Sequence, residues 1–178
     1  MNRFYDVSRG SIEINGTDIR KYDLESLRAQ VGYVAQKAHM FKGSIRSNIC
    51  FGKPEASDEE MYHASRVAQA SDFISKRENG YLDEIAEDGT NISGGQKQRL
   101  SIARVILKKP SLYIYDDSFS ALDFKTDATL RKALKPEVKD AIFFVVAQRI
   151  STIMDSDMII VLDEGQIIGL GTHLELLK

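Results

Sequence analysis

Three short apolar runs, each followed at once by a polar side chain, constrain the fold of this chain more than any other feature. The runs cover residues 31–35, 111–115 and 141–147, and longer amphipathic stretches separate them. Such alternation is typical of α/β folds with a largely parallel sheet. In these folds the chemistry lies at the carboxyl ends of the strands. The polar residues that follow the runs are Gln36, Asp116, Asp117 and Gln148.

Between the first two runs the sequence changes character. Strand signals stop at about residue 43 and resume after residue 108, which predicts an inserted helical subdomain. Ser57 and Glu60 form a capping-box pattern that opens a helix through about residue 70. A shorter helix is expected from Ser71 to the Asn-Gly pair at 79–80, and a third from Ser93 to just before Pro110.

The outer segments predict simpler elements. Residues 11–19 alternate in period two around an Asn-Gly pair, which indicates a hairpin. A helix over residues 122–135 is expected to join the second and third apolar runs. Residues 158–168 predict a closing hairpin, and Thr172 with Glu175 forms a last capping-box pattern.

Composition excludes several classes of protein. The 178 residues carry 24 Lys and Arg against 26 Asp and Glu, so no basic excess favours nucleic acid binding. Cys50 is the single cysteine, which excludes an internal disulfide and a multi-cysteine metal site. The longest apolar run, residues 141–147, is far shorter than the roughly 20 residues of a membrane-spanning helix. The first residues also lack the pattern of a secretory signal, so membrane association is expected through a partner.

The most informative stretch is residues 91–99, Asn-Ile-Ser-Gly-Gly-Gln-Lys-Gln-Arg. Two glycines in the first turn of a helix let backbone N–H groups approach an anion closely, and the helix dipole favours negative charge there. The same residues also fit a plain capping box between Ser93 and Gln96. From the residues alone, both interpretations stay open.

The acidic pair Asp116 and Asp117 also has two interpretations. Carboxylates at the end of a buried strand can hold magnesium through its waters and orient an attacking water. Paired acids at such a position can equally be helix caps. Gln148 follows the third run and adds a polar side chain at the same edge of the sheet.

In combination and order, these motifs resemble the nucleotide-binding domain of ATP-binding cassette (ABC) transporters, specifically the exporter type. Gln36 resembles the Q-loop glutamine, residues 91–96 the signature motif with Ile92 in place of leucine, and Asp116 the Walker B aspartate. Residues 120–123 resemble the D-loop, residues 147–149 the switch region, and residues 171–176 the exporter C-terminal motif.

The resemblance implies a fold, a division of the chain and a set of site residues. The implied fold is a P-loop NTPase (RecA-like) α/β core, formed by residues 1–36 and 109–178, with a helical subdomain over residues 37–108. The implied cofactors are ATP and Mg²⁺. The implied nucleotide-binding residues are Gln36, Ser93, Gly94, Gly95, Gln96 and Asp123; the metal ligands are Asp116 and Gln36; the catalytic residues are Asp117 and Gln148.

The sequence departs from the family pattern at its phosphate loop. Gly-x-x-x-x-Gly-Lys-Ser/Thr should precede the first residues, and the single Gly-Lys pair, at 52–53, is followed by Pro54. The chain is therefore expected to lack the first strand, the phosphate loop and the following helix of the domain. Loss of an inner strand predicts poorly covered apolar faces on residues 112–115 and marginal stability of the chain alone.

Two further departures concern hydrolysis. Asp117 stands where the family has a glutamate, and Gln148 stands where it has a histidine. The shorter carboxylate and the amide, which cannot titrate, weaken hydrolysis more than binding. This combination resembles the degenerate half of heterodimeric exporters, which lends its signature motif to the partner's ATP site.

The resemblance therefore implies two partners and a location. The partners are a second nucleotide-binding domain and the transmembrane domain of an exporter, with residues 36–48 facing the latter. The location is the cytoplasmic side of the cell membrane. Two alternatives stay open: an ABC-type ATPase of DNA maintenance or translation, and a truncated remnant or binding module without catalysis.

Overall fold

The computed structural model describes residues 1–178. The first half contains β1 (Glu13–Ile14), β2 (Thr17–Asp18), α1 (Leu24–Ala29), β3 (Val31–Val34), β4 (Gly43–Ser44), α2 (Ile45–Ile49), α3 (Asp58–Val67), α4 (Ser71–Ile74) and β5 (Glu84–Ile85). The second half contains α5 (Gly94–Lys108), β6 (Leu112–Asp116), α6 (Phe124–Glu137), β7 (Ile142–Val146), α7 (Ile150–Ile153), β8 (Ile159–Asp163), β9 (Gln166–Gly171) and α8 (His173–Leu176).

The centre of the fold is a parallel sheet in the order β3-β6-β7. Val31 pairs with Leu112, and Leu112 pairs in turn with Ile142, so the three strands start level. The connection from β6 to β7 contains α6, and the much longer connection from β3 to β6 contains α2 to α5. The α/β prediction with a parallel sheet is confirmed, and the three carboxyl ends lie at one edge.

Helix α5 packs against β3 so closely that residue 32 must be glycine. A Cβ atom on Gly32 would lie 2.5 Å from Val105 Cγ1 and 2.6 Å from Pro110 Cγ. Real Cβ atoms do not approach other atoms to this distance, so any larger residue would push the helix away from the strand. This contact fixes the helix that carries residues 93–96 relative to the sheet.

Most predicted elements form where the sequence placed them, one helix is shorter than expected, and several short elements were not expected. The helix from Ser71 ends at Ile74, because the chain then continues in three-residue turns, with Arg77 N–H donating to the Ile74 carbonyl. Helix α1 lies in a charged stretch for which the sequence predicted no helix; Asp23 caps it and Leu27 is fully buried. The two-residue strands β4 and β5 pair inside the helical region and are too short for periodicity to show.

One apolar core joins the sheet to the helical region. A single cluster of 27 buried residues includes Val34 and Tyr115 of the sheet and Ile49, Met61 and Leu100 of the helices. The two predicted parts of the chain, divided at residues 36/37 and 108/109, therefore share one apolar core. The division itself stays a proposal.

Strand β7 carries the uncovered apolar surface of the sheet. It hydrogen-bonds to β6 on one side only, and Ile142, Phe144 and Val146 are 65%, 40% and 48% exposed. The expectation that residues 112–115 would be poorly covered is wrong, because Tyr113 and Tyr115 are 2% and 0% exposed between two neighbouring strands. The hairpin β8–β9 forms its own sheet and adds exposed Leu162. No helix has both the length and the apolar character needed to cross a bilayer.

We predict that the 178-residue chain, made alone, self-associates through the β7 face. Exposed apolar strands with an unpaired edge favour edge-to-edge association. The replacements Ile142→Thr and Phe144→Ser should reduce aggregation and binding of a hydrophobic dye, measured by light scattering and dye fluorescence.

The matched control is Leu82→Ser, which removes an equally exposed apolar side chain, 69% accessible, outside the sheet. This control should leave aggregation unchanged. A monodisperse monomer with a sharp, reversible unfolding transition would contradict the prediction.

Candidate functional site

The carboxyl ends of the three parallel strands bring together the residues that the sequence singled out. Gln36 lies two positions after the end of β3, Asp116 is the last residue of β6, and Gln148 lies two positions after the end of β7. The carboxyl edge of a parallel sheet is where such folds bind their ligands.

Asp117 is the centre of this group. Its Oδ2 atom accepts a hydrogen bond from Gln36 Nε2 at 3.0 Å and a longer one from Gln148 Nε2 at 3.4 Å. Its backbone N–H donates to the Val146 carbonyl at 2.9 Å, and its φ of 45° lies in the left-handed region, which Asp tolerates better than most residues. The turn at this residue sends its carboxylate toward the two glutamines.

The neighbouring acid, Asp116, has a different partner. The Tyr33 hydroxyl on β3 donates to Asp116 Oδ2 at 2.9 Å. Burial, followed by the hydrogen bond to Asp116, raises the pKa of Tyr33 above its usual value, so the phenol is a stable donor at neutral pH. Sequence reasoning missed Tyr33, since only the register between β3 and β6 shows that it reaches this acid.

The oxygen atoms at this edge suit magnesium better than a metal held by a full protein cage. The structure contains no group of three or more His, Cys, Asp or Glu side chains that could enclose an ion. Two carboxylates and the Gln36 amide oxygen are hard donors, and Mg²⁺ typically binds one or two carboxylates while keeping waters and substrate phosphates.

A second feature lies at the start of α5, which has 15 residues. Ser93 Oγ accepts from Gln96 N–H at 3.3 Å, and Gln96 Oε1 accepts from Ser93 N–H at 3.0 Å. The capping box is therefore present, and it holds the Gln96 side chain against the backbone.

The two glycines of this helix start differ in their surroundings. A Cβ atom on Gly95 would lie 3.3 Å from the Ala121 carbonyl oxygen, which is a tight internal contact. A Cβ atom on Gly94 would meet nothing within 4 Å. Packing inside the chain explains why residue 95 is small and does not explain residue 94.

We call residues 93–96 the helix start, and we call Gln36, Asp116, Asp117 and Gln148 the strand-end group. No hydrogen bond joins residues 93–96 to Gln36, Asp116, Asp117 or Gln148. The link between them is structural: the buried Gln98 donates from Nε2 to the Ala35 carbonyl at 3.1 Å and so ties α5 to the end of β3.

The loop between β6 and α6 is held from both sides. Arg149 donates to the carbonyls of Ser120 at 3.2 Å and Leu122 at 3.5 Å. Asp123 caps α6 and accepts from Thr126 N–H at 3.0 Å and Thr126 Oγ1 at 2.7 Å. These hydrogen bonds lower the pKa of the Asp123 carboxyl. Both oxygens of this predicted nucleotide-binding residue thus bind within its own helix turn.

A parallel sheet with acids at its carboxyl edge, and an inserted helical region that carries a serine-diglycine helix start, defines a P-loop NTPase fold of the ABC type. The family model for ABC transporters matches residues 1–120. The chain therefore belongs to the ABC transporter family.

Similar proteins are exporters by name. A Bacillus subtilis (strain 168) protein, YgaD, named as a multidrug export ATP-binding/permease protein, is 49% identical over 175 residues. A Staphylococcus aureus (strain NCTC 8325) protein named in the same way is 44% identical over 175 residues. Both alignments cover 98% of this chain and 30% of the relative, so the chain spans about a third of their length.

A solved structure agrees in fold. The structure of a bacterial Atm1-family ABC exporter with ATP bound matches with a TM-score of 0.95 and 39% sequence identity. The match covers 99% of this chain and 31% of that chain.

Proposed function

We propose that this chain is part of the ATP-binding component of an ABC exporter, which couples ATP binding and hydrolysis to transport across a membrane. The observation that carries the proposal is the meeting of Gln36, Asp117 and Gln148 at the carboxyl edge of the sheet, with Asp116 beside them. The names of the relatives, multidrug export ATP-binding/permease proteins, support the same function.

The start of α5 is proposed to complete an ATP site whose remaining parts belong to a partner domain. Gly94 faces open space, so backbone N–H groups at this helix start are accessible to an anion from outside the chain. No hydrogen bond joins residues 93–96 to the strand-end group, and we assign the two features to two different ATP sites, each completed when two domains face each other. The proposed partner is a second nucleotide-binding domain, in a heterodimer.

The strand-end group supplies this chain's own, weaker site. Asp116 and Gln36 are the proposed ligands of magnesium, which, when bound, neutralises charge on the phosphates of ATP. Asp117 is the proposed residue that orients an attacking water, and Gln148 is the proposed contact to the terminal phosphate. Asp123, in the loop after β6, is proposed to face the nucleotide across the domain interface.

The geometry of Asp117 supports a slow or silent site. Its Oδ2 already accepts from two amide groups, which compete with an attacking water for the same carboxylate. The side chain is also one methylene shorter than glutamate, and misplacement on that scale costs about a hundredfold in rate. Gln148 can donate a hydrogen bond to a phosphate and cannot carry a proton away.

We predict that ATP turnover of the intact transporter depends strongly on the helix start and only weakly on Asp117. Gly94→Glu places bulk and negative charge where the partner's ATP is proposed to lie, and should lower ATP turnover by roughly 100-fold, as loss of an anion-stabilising contact does. Asp117→Asn should leave ATP turnover almost unchanged, because the ATP site that contains Asp117 contributes little to turnover. A phosphate-release assay measures both.

The matched control for this experiment is Ala128→Glu, which adds a glutamate side chain at an exposed position of α6 that belongs to neither feature. This control should retain turnover. Normal turnover in Gly94→Glu together with complete loss in Asp117→Asn would reverse the assignment of the two features.

A second prediction tests the slow site itself. In the Gly94→Glu background, the combined changes Asp117→Glu and Gln148→His should restore measurable turnover, because the longer carboxylate reaches the water and the imidazole can take part in proton transfer. The single change Gln148→Asn serves as a control and should restore none. Absence of any gain from the combined changes would remove the support for a degenerate site.

The surface proposed for the transmembrane partner is an exposed aromatic pair. Phe41 and Phe51 stack with ring centroids 4.3 Å apart and are 46% and 58% exposed. The Arg104 guanidinium lies over both rings, and burial lowers its pKa to about 10, so it stays charged at neutral pH. Aromatic residues, Phe among them, and Arg are enriched in the buried cores of protein interfaces.

Contact with a membrane-embedded partner would place the chain at the cytoplasmic side of the membrane without a spanning helix of its own. We predict that Phe51→Ser lowers substrate-stimulated ATP turnover by about tenfold, the size expected for loss of one aromatic anchor. Nucleotide binding should not change, since Phe51 lies outside the strand-end group.

Leu174→Ser is the control for Phe51→Ser, because it removes an exposed apolar side chain, 74% accessible, from α8. This variant should keep substrate stimulation. Equal stimulation in Phe51→Ser and the unchanged protein would rule out this surface as the docking site.

A further inference from the structure

The register between β3 and β6 places Tyr33 on the same face of the sheet as Asp116. Tyr33 pairs with Ile114, and Asp116 follows Ile114 by two positions. Side chains two positions apart point to the same face of a strand, so the phenol extends along the diagonal to the acid. The result is the hydrogen bond of 2.9 Å from the Tyr33 hydroxyl to Asp116 Oδ2.

The phenol is held in place by more than this hydrogen bond. The Phe4 ring meets the Tyr33 ring edge-on, with centroids 6.5 Å apart and an angle of 72° between the planes. Arg28 lies over Phe4, 5.6 Å from the ring centroid. Tyr33 is 38% exposed, so the ring is packed on one side while the hydroxyl lies at the edge of the site.

The two oxygens of the Asp116 carboxylate differ in their hydrogen-bond partners. Oδ2 of Asp116 is occupied by Tyr33, and Oδ1 accepts no hydrogen bond from the protein. Gln36 and Gln148 donate hydrogen bonds to the neighbouring Asp117 and not to Asp116. Tyr33 is therefore the one side chain that fixes the direction of the Asp116 carboxylate.

We propose that Tyr33 is a positioning residue, which orients Asp116 so that its free oxygen faces a divalent cation. The inference rests on the proposed function of Asp116 as a magnesium ligand. Ligating carboxylates are themselves held by hydrogen bonds, and loss of such a partner typically weakens metal affinity 10- to 100-fold.

The test is the metal affinity of the intact transporter in complex with a non-hydrolysable ATP analogue. Mn²⁺ replaces Mg²⁺ as the probe, and electron paramagnetic resonance measures how much is bound. Tyr33→Phe removes one oxygen atom and should weaken one class of bound Mn²⁺ about tenfold. Binding of the analogue in EDTA should not change, because the hydroxyl acts on the metal ligand and not on the fold.

Two further variants make the outcome decisive. Tyr62→Phe is the matched control, since Tyr62 is 40% exposed and packs against Tyr81 through its ring alone, so it should keep the affinity of the unchanged protein. Asp116→Asn should abolish the same class of Mn²⁺ binding.

The failures can be told apart. If Asp116→Asn loses that class and Tyr33→Phe retains it in full, the positioning role of Tyr33 is wrong while the assignment of Asp116 stands. If Asp116→Asn also retains it, the metal assignment in the proposed function is wrong, and the role of Tyr33 is wrong with it.

Discussion

The level pairing of β3, β6 and β7 is the constraint on which the site depends. The strands are parallel and start level, so their carboxyl ends lie side by side. Gln36 and Gln148, which are far apart in the sequence, therefore both donate hydrogen bonds to the Asp117 carboxylate. Gly32 lets α5 lie directly against this sheet, and Gln98 ties that helix to the end of β3. One sheet thus positions both the strand-end group and the helix start, although no hydrogen bond joins the two.

The helix start and the strand-end group differ in how open they are to a ligand. The helix start is accessible from outside the chain at Gly94, whereas the Asp117 carboxylate is already bonded by two amides. We propose on this basis that the domain completes another domain's ATP site and hydrolyses ATP slowly at its own. The chain belongs to the ABC transporter family, its listed relatives are named as multidrug exporters, and it spans 30% of those relatives.

Much of this architecture could be predicted from the sequence, because the signals were local. The strands at residues 31–35, 111–115 and 141–147 and the box at Ser93 follow from runs and spacings within a few residues. The hydrogen bond from Tyr33 to Asp116 and the uncovered face of β7 depend on which strands are neighbours, and register cannot be read from a single run. Helix α1 was missed because its two leucines lie among charged residues and its stability comes from the buried Leu27.

We propose that residues 93–96 contact a nucleotide held mainly by another domain. The most direct measurement uses a photoreactive ATP analogue on the assembled transporter, with the labelled peptides identified by mass spectrometry. We expect label on the peptide that contains Ser93 and Gly94. This label should be lost when the partner's phosphate-loop lysine is replaced and retained in Asp116→Asn. Label confined to peptides around Asp116, with none at the start of α5, would contradict it.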